Sequence, residues 1–425
     1  MKRPFYYGWI IVGVALVSMA FWIGIRSSFS VFYVYLLEEF RWGRGETAGA
    51  QSLALIVYTI LAPFAGGLID RFGPRRVIVP GVFLLGTGLV LSAGVRDLTQ
   101  LYLIYGLLVG GGITAISITA YSAILAHWFE RKRGVASGLA SSGMGIGTFL
   151  FVPLSQYLIS VGGWRWAFVI LGLLSVSVLI PLNAFFLRHK PQDLGLYPDG
   201  AKGAAGIEDP GTREVQAGRS GVDWTLTRAL RVGRFWALMA FAFLAIVAIF
   251  IVLVHNVRFM VDQGLDKKTA TFAFAMVGII SSAFRIFWGW LSDRTSREVA
   301  YSLGALCIFL GACSLLSLEF FGQRAFVYPF VVLFGMGWGA TAPLFMAVAA
   351  DLFQGRQFGA IYGLLEAIIG IGGALGAWIG GFIFDATQSY AGAFLLAASV
   401  SLLSILFVWL AAPRKYATLR AKAAS

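Results

Sequence analysis

The sequence predicts an all-α membrane protein with twelve transmembrane helices in two six-helix bundles. Three observations carry that prediction. Of 425 residues, 59% are hydrophobic and only 12% charged, more apolar side chain than a water-soluble domain buries. Apolar runs recur along nearly the whole length, each about 20 residues long and so able to cross a hydrocarbon core of about 30 Å. The two halves of the chain also carry matching glycines and charges in phase.

The spans fall at 8–33, 46–69, 77–95, 99–126, 134–159, 164–187, 235–256, 269–291, 299–318, 325–350, 357–383 and 389–412. Span 1 is too long for the apolar core of a signal peptide and lacks a small-residue cleavage site after it, so it stays as a helix. Spans 1–6 make an N-terminal bundle over residues 1–187, and spans 7–12 a C-terminal bundle over 233–425. Between them, 188–232 is the one long polar segment. Its run GAKGAAGIEDPGTREVQAGRSG reads as a flexible linker. Its end, DWTLTRALRVGRFW, spaces apolar and basic residues as a helix on the inner membrane surface would. The two cysteines, Cys307 and Cys313, both fall in span 9 and are neither a disulfide framework nor a metal pair.

The net charge of +13 would fit nucleic-acid binding, but its distribution argues for topology. With the N-terminus inside, 23 of the 33 lysines and arginines fall in cytoplasmic segments and far fewer in outer ones. That bias orients the chain with both termini cytoplasmic in the cell (inner) membrane, and leaves no call for a nucleic-acid partner.

Arg131, Gly134, Gly138, Gly145 and Gly147 recur 225 positions later as Arg356, Gly359, Gly363, Gly370 and Gly372, and Gly110 and Gly112 map onto Gly335 and Gly337. Gly66-x-x-x-Asp70-Arg71 is echoed by Gly289-x-x-x-Asp293-Arg294. A parallel six-plus-six repeat is the plan of transporters that bind substrate between two halves and rock around the site.

The turn from Gly66 through Asp70, Arg71 and Gly73 to Arg75 and Arg76 resembles the helix 2–3 motif of the major facilitator superfamily. That resemblance covers essentially the whole chain. It implies a cytoplasmic gate at Asp70, Arg71, Arg75, Asp293 and Arg294, where an aspartate at a helix end caps N–H groups or pairs with arginines. The second copy departs from the pattern, with Ser296 in place of Gly73 and Glu298 in place of Arg75. A narrower likeness runs from Trp128-Phe129 through Arg131-Lys132-Arg133 to Gly143, Gly145 and Gly147. This segment is similar to the helix 4–5 signature of the monocarboxylate transporter family and its bacterial oxalate–formate relatives. Small residues at Gly138, Ser142, Gly145 and Gly147 let span 5 approach a neighbour closely. Tyr6-Tyr7-Gly8-Trp9 resembles the family's entry to helix 1 without the acidic residue of the animal members.

Arg285 is a permanent charge inside span 8, with no acidic residue one turn away; such a group faces a water-filled cavity or a partner. It lies roughly 12 Å from Asp293, Glu366 about 15 Å from Arg356, and Tyr121 about 13 Å from Glu130, at 1.5 Å per residue. Three polar groups from three spans thus reach a similar depth. The family resemblance implies that Arg285 holds the substrate carboxylate, which suits the two parallel donors of a guanidinium; a plain Arg285–Glu366 ion pair is the structural alternative. Where animal relatives carry an aspartate one turn before this arginine, the chain has Ser281. Proton coupling therefore moves to Glu366, since low dielectric favours a neutral carboxyl while a nearby arginine favours the ionised one.

Span 11 contains no Lys or Arg, whereas the oxalate–formate exchanger is understood to use a second cation there. One central cation matches one carboxylate. His255 and Asn256 end span 7, where the histidine either relays protons or is an ordinary interfacial residue beside Arg258 and Asp262. Arg26 and Asn256 are assigned to an outer vestibule. Tyr121, Ser281, Trp338 and Tyr362 complete the expected binding residues. Thr114 and Ser117 share a face with Tyr121, as Thr341 and Phe345 do with Trp338, either as a pocket wall or as helix packing. His127 and His189 have no ligand cluster around them. No nucleotide loop, metal spacing or nucleophile constellation is present, so neither an enzyme nor a cofactor is expected.

These observations predict a monomeric secondary transporter of a small monocarboxylate of the lactate, pyruvate or short-chain acid class, in symport with a proton. An organic-anion exchanger, or a facilitator of another solute, is the alternative. A receptor that binds the acid without moving it is disfavoured by the lack of an appended signalling domain.

Overall fold

The computed structural model describes residues 6–129, 133–200, 224–353 and 357–411. Arg131, Lys132 and Arg356 of the repeat, the linker stretch 201–223, both chain ends and the side chain of Asp70 lie outside the described residues. Among the described residues, eleven helices are long and apolar enough to cross a membrane. The expected twelve follow because Arg133–Pro181 is two helices: Gly163, at φ 80° and ψ 167°, breaks it. A left-handed φ of this kind is costly for a residue with a Cβ.

We number the helices in chain order: α1 Gly8–Phe40, α2 Arg44–Phe72 and α3 Pro74–Ser92. α4 covers 98–128 in pieces, with a π-helical stretch at Tyr102–Val109 and a break at Ile116 and Ser117. α5 (133–162) and α6 (164–181) flank Gly163. After the linker come α7 Gly233–Asp262, α8 Lys267–Arg294, α9 Arg297–Phe321, α10 Val327–Phe353, α11 Phe358–Thr387 and α12 Ala391–Ala411.

Contacts divide the chain into two compact units. Unit 1 holds Met1–Ala205 together with Asn256–Gly278, and unit 2 holds Gly206–His255 together with Ile279–Ser425. The turn between α7 and α8 thus groups with α1–α6.

Within unit 1, the neighbour that the α5 glycines approach is α1. A Cβ on Gly143 would stand 2.2 Å from the Leu16 carbonyl oxygen, and one on Gly147 2.0 Å from that of Ala20. Gly138 faces open space and takes no part in this packing. Within unit 2 the same device recurs: a Cβ on Gly372 of α11 would meet the Phe243 carbonyl of α7 at 3.0 Å, and one on Gly376 that of Val247 at 2.6 Å. The sequence repeat is therefore a repeat of helix contacts, α5 on α1 and α11 on α7, in which only a bare Cα allows backbones so close.

The end of the linker folds as a short helix, Leu226–Leu230, capped by the Thr225 side chain. Trp224 is buried edge-on to Phe353 at 5.0 Å, and the Leu226 N–H donates to the Gln357 side chain at 2.8 Å. This segment is fastened to the end of α10 and the start of α11.

Candidate functional site

The arginine that anchors the expected site lies on α8, within unit 2. Its side chain is half-buried, with Nε cut off from solvent. One turn earlier, Ser281 is fully buried and its hydroxyl has no hydrogen-bond partner. That orphan costs free energy unless something occupies it. The buried stripe continues with Trp288 and Ser292, while Ile286, Phe287 and Trp290 form an exposed apolar face.

α8 is held against α10. The Trp288 indole N–H donates to the Met336 carbonyl at 2.8 Å, and Trp338 is buried in the same helix. The Thr341 hydroxyl donates to the Trp338 carbonyl at 2.8 Å, and Phe345 meets Phe241 edge-on at 5.0 Å. The expected aromatic stripe of α10 is thus largely packed inside unit 2. α11 contributes Glu366 and, one turn before it, Tyr362, both half-buried; the Tyr362 ring stacks on Phe358 at 6.0 Å. Arg285, Ser281, Trp338, Tyr362 and Glu366 all belong to unit 2.

Tyr121 belongs to unit 1 and is fully buried. Its hydroxyl contacts Ser18 Oγ at 2.7 Å and Asn183 Oδ1 at 2.6 Å. It ties α4 to α1 and to the end of the sixth helix, a role that span spacing could not reveal because neither partner is near it in sequence. His255 is fully buried in unit 2. Its Nε2 lies 2.8 Å from the Ala377 carbonyl and its Nδ1 3.3 Å from the Tyr390 hydroxyl. Because a carbonyl only accepts, Nε2 carries the hydrogen, and Nδ1 accepts from Tyr390. Both ring nitrogens are engaged within the helix packing. Asn256 is likewise fully buried.

Arg26 lies inside unit 1. It lines a cavity of about 10 Å³ with Gln51, Tyr58 and Gly110, room for about one water. Its guanidinium sits 5.2 Å from the Trp22 ring and 5.7 Å from that of Tyr58.

At the start of α3, Arg75 donates from Nη2 to the Phe185 carbonyl at 3.0 Å and from Nε to that of Leu187. A cation there caps the C-terminal carbonyls of the sixth helix. Arg71 lies over Phe72 at 5.2 Å and Arg294 over Trp290 at 4.5 Å. The degraded second copy of the turn motif has its own solution. Arg297, at the register of Pro74, bridges Asp293, the Ser292 hydroxyl at 2.7 Å and Asp351 of α10 at 3.1 Å. Comparison of the two copies hid this residue because it replaces a proline, not a charge.

A second group that the sequence left unassigned lies within unit 1. Arg44 pairs with Asp262 at 2.6 Å, Arg258 with Asp262 at 2.9 Å and with Glu38 at 3.4 Å, and Lys267 with Glu38. Lys267 also sits 4.0 Å from the Tyr35 ring. The turn between α7 and α8 is thereby bound to the end of α1 and the start of α2. Among the described residues no three His, Cys, Asp or Glu side chains converge as metal ligands.

The fold and this internal repeat define a secondary transporter of the Major Facilitator Superfamily, whose family model matches residues 10–361 and 339–425. Within the superfamily, the chain belongs to the monocarboxylate transporter family. It is 30% identical over 405 residues to monocarboxylate transporter 13 of Bos taurus, covering 94% of this chain and 89% of that one. It is 26% identical over 415 residues to monocarboxylate transporter 2 of Homo sapiens, covering 93% and 85%. Among solved structures, a D-xylose–proton symporter matches with TM-score 0.70 at 18% identity, over 95% of this chain and 97% of that one. A bacterial homologue of the human lysosomal transporter Spinster matches with TM-score 0.67 at 15% identity, over 99% and 98%; at such identities these structures share the fold alone. Family membership places the protein among multi-pass membrane transporters and not among enzymes.

Proposed function

We propose that the protein is a proton-coupled symporter of small monocarboxylates of the lactate, pyruvate or short-chain acid class, working by alternating access of two six-helix halves, residues 1–187 and 233–425, joined by the linker 188–232. The observation that carries this is Arg285 on α8 beside the buried, unsatisfied hydroxyl of Ser281. A guanidinium and a hydroxyl one turn apart present the donors that a carboxylate accepts, and α11, with no Lys or Arg, offers no second cation for a dianion. The names of the relatives support the same substrate class.

Trp338 and Tyr362 supply the apolar wall beside the charged end. Glu366 carries the proton: an anion arriving at Arg285 weakens any attraction between the arginine and the carboxylate, and so favours proton uptake. The turn motifs around Asp70, Arg71, Arg75, Asp293 and Arg294, with Arg297, hold the cytoplasmic side, and the Glu38–Lys267 group fastens the outer side. The protein functions as a monomer in the cell membrane, with both termini inside.

The test is uptake of labelled mono- and dicarboxylates into proteoliposomes, with and without an inward proton gradient. Monocarboxylate uptake driven by the gradient is expected, with kcat/KM falling by about 10- to 100-fold in Arg285→Ala, the worth of one charged hydrogen-bonding group. Transport by that variant equal to the parent's would refute the site. Uptake driven only by counter-substrate and indifferent to the gradient would identify an exchanger instead.

A further inference from the structure

We propose that Gly339 and Trp288 are positioning residues that set the depth and direction of the Arg285 side chain; this rests on Arg285 being the carboxylate ligand. α8 and α10 approach closely on the turn that carries Arg285. A Cβ on Gly339 would stand 2.6 Å from the Ser281 carbonyl oxygen, 3.3 Å from Phe284 Cβ and 3.4 Å from the Arg285 backbone nitrogen. In an α-helix the Ser281 carbonyl is the acceptor of the Arg285 N–H. The bare Cα of Gly339 therefore abuts the very hydrogen bond that fixes the backbone under the guanidinium.

Less than one turn further along α8, the Trp288 indole N–H reaches across to Met336 O at 2.8 Å. Trp288 is 3% exposed, so that bond is made away from competing water. The two contacts bracket Arg285, one allowing approach and the other enforcing it. Helix 10 can yield just here: Pro343 lies within it, and a proline four residues after Gly339 has no N–H for the Gly339 carbonyl. A methyl at 339 cannot be absorbed by a side chain, because the atom in its way is backbone. The strain moves α8 and α10 apart and carries the guanidinium off its ligand.

A displacement of this kind weakens binding more than turnover. With the full-length protein in proteoliposomes, Gly339→Ala is expected to raise the KM for labelled lactate about tenfold with Vmax within about twofold, and Trp288→Phe to raise it about threefold. A second readout is independent of transport. In protein carrying Cys307→Ser and Cys313→Ser, Arg285→Cys is labelled with 2-aminoethyl methanethiosulfonate in the presence and absence of Gly339→Ala, with Lys268→Cys at the exposed outer end of α8 as control. The labelling rate at 285 is expected to shift about fivefold and that at 268 to stay the same. Equal labelling at 285 in both backgrounds, with KM unchanged in Gly339→Ala, overturns the proposal while a loss in Arg285→Ala leaves the site standing. Arg285→Ala transporting as the parent does overturns the site and this role together. If Gly339→Ala is not recovered as monodisperse protein, Trp288→Phe decides: an unchanged KM overturns the proposal.

Discussion

Arg285 and His255 show two ways for a polar side chain to reside at membrane depth. His255 is spent, with one ring nitrogen on the Ala377 carbonyl and the other on the Tyr390 hydroxyl, and Gly380 is so close that a Cβ there would stand 2.6 Å from the ring. Beside Arg285, whose Nε is buried, the Ser281 hydroxyl has no partner, and the proposed carboxylate would satisfy it. The two histidine contacts predict that Tyr390→Phe lowers the thermal stability of the purified protein by about 1 kcal/mol, one hydrogen bond's net worth, and leaves the pH dependence of uptake as it was. Glu366→Gln has the opposite signature: a fold that melts like the parent's and uptake that no longer responds to an imposed proton gradient. A gradient response that persists in Glu366→Gln would remove that residue from the mechanism.

Among the helices, the informative residues are those that let backbones touch. Gly147 and Gly372, 225 positions apart in the sequence, occupy equivalent contacts on α1 and α7. Gly147→Ala places a methyl against a backbone carbonyl, so a loss of about 1–3 kcal/mol is expected, read as a lowered Tm. Gly138→Ala, facing open space, is the matched control and is expected to melt like the parent. α8 begins with Asp266, whose carboxylate accepts the Thr269 hydroxyl at 2.6 Å and the Thr269 N–H at 2.9 Å. These bonds, the hydroxyl first, hold the Asp266 carboxyl below the usual aspartate range. A lowered value in the folded state means that the cap's contribution is complete above the ordinary aspartate pKa and is lost as pH falls through the lowered one. Asp266→Ala is thus expected to cost about 1 kcal/mol at pH 7. The difference in Tm from the parent should shrink towards pH ~3; a gap independent of pH would show that the charge plays no part.

At the scale of the whole molecule, the ion pairs joining Glu38, Arg44, Arg258, Asp262 and Lys267 make the turn between α7 and α8 part of unit 1. With Glu38 39% and Lys267 31% exposed in their side chains, solvent screens the pair, and a double-mutant cycle of Glu38→Gln and Lys267→Gln in thermal melts should give a coupling of under about 1 kcal/mol. Its expected importance lies in transport. If the outer end must release in each cycle, both single variants alter Vmax at low salt, and the difference from the parent diminishes at high salt as screening grows. Equal Vmax in all four proteins at low ionic strength would exclude these residues from the cycle.

Chain order and periodicity were enough to make the fold legible: twelve spans, a repeat of six, and a central arginine with no charged neighbour on its own helix. These depend on burying apolar surface in lipid and satisfying backbone groups within each helix, which are local requirements written residue by residue. The partners were not legible, because they come from other helices. The sequence placed Tyr121 beside a substrate by depth alone, whereas packing gives its hydroxyl to Ser18 and Asn183. It gave Arg258 and Asp262 no partners, whereas they join a five-residue ion network. It missed Arg297, which pairs with Asp293 on its own turn and with Asp351, 54 positions further along the chain. Sequence alone thus determined which helices exist and which charge lies at their middle; tertiary structure decided what each polar group touches, since side-chain hydrogen bonds act over about 3 Å and only the packed helices bring such atoms together.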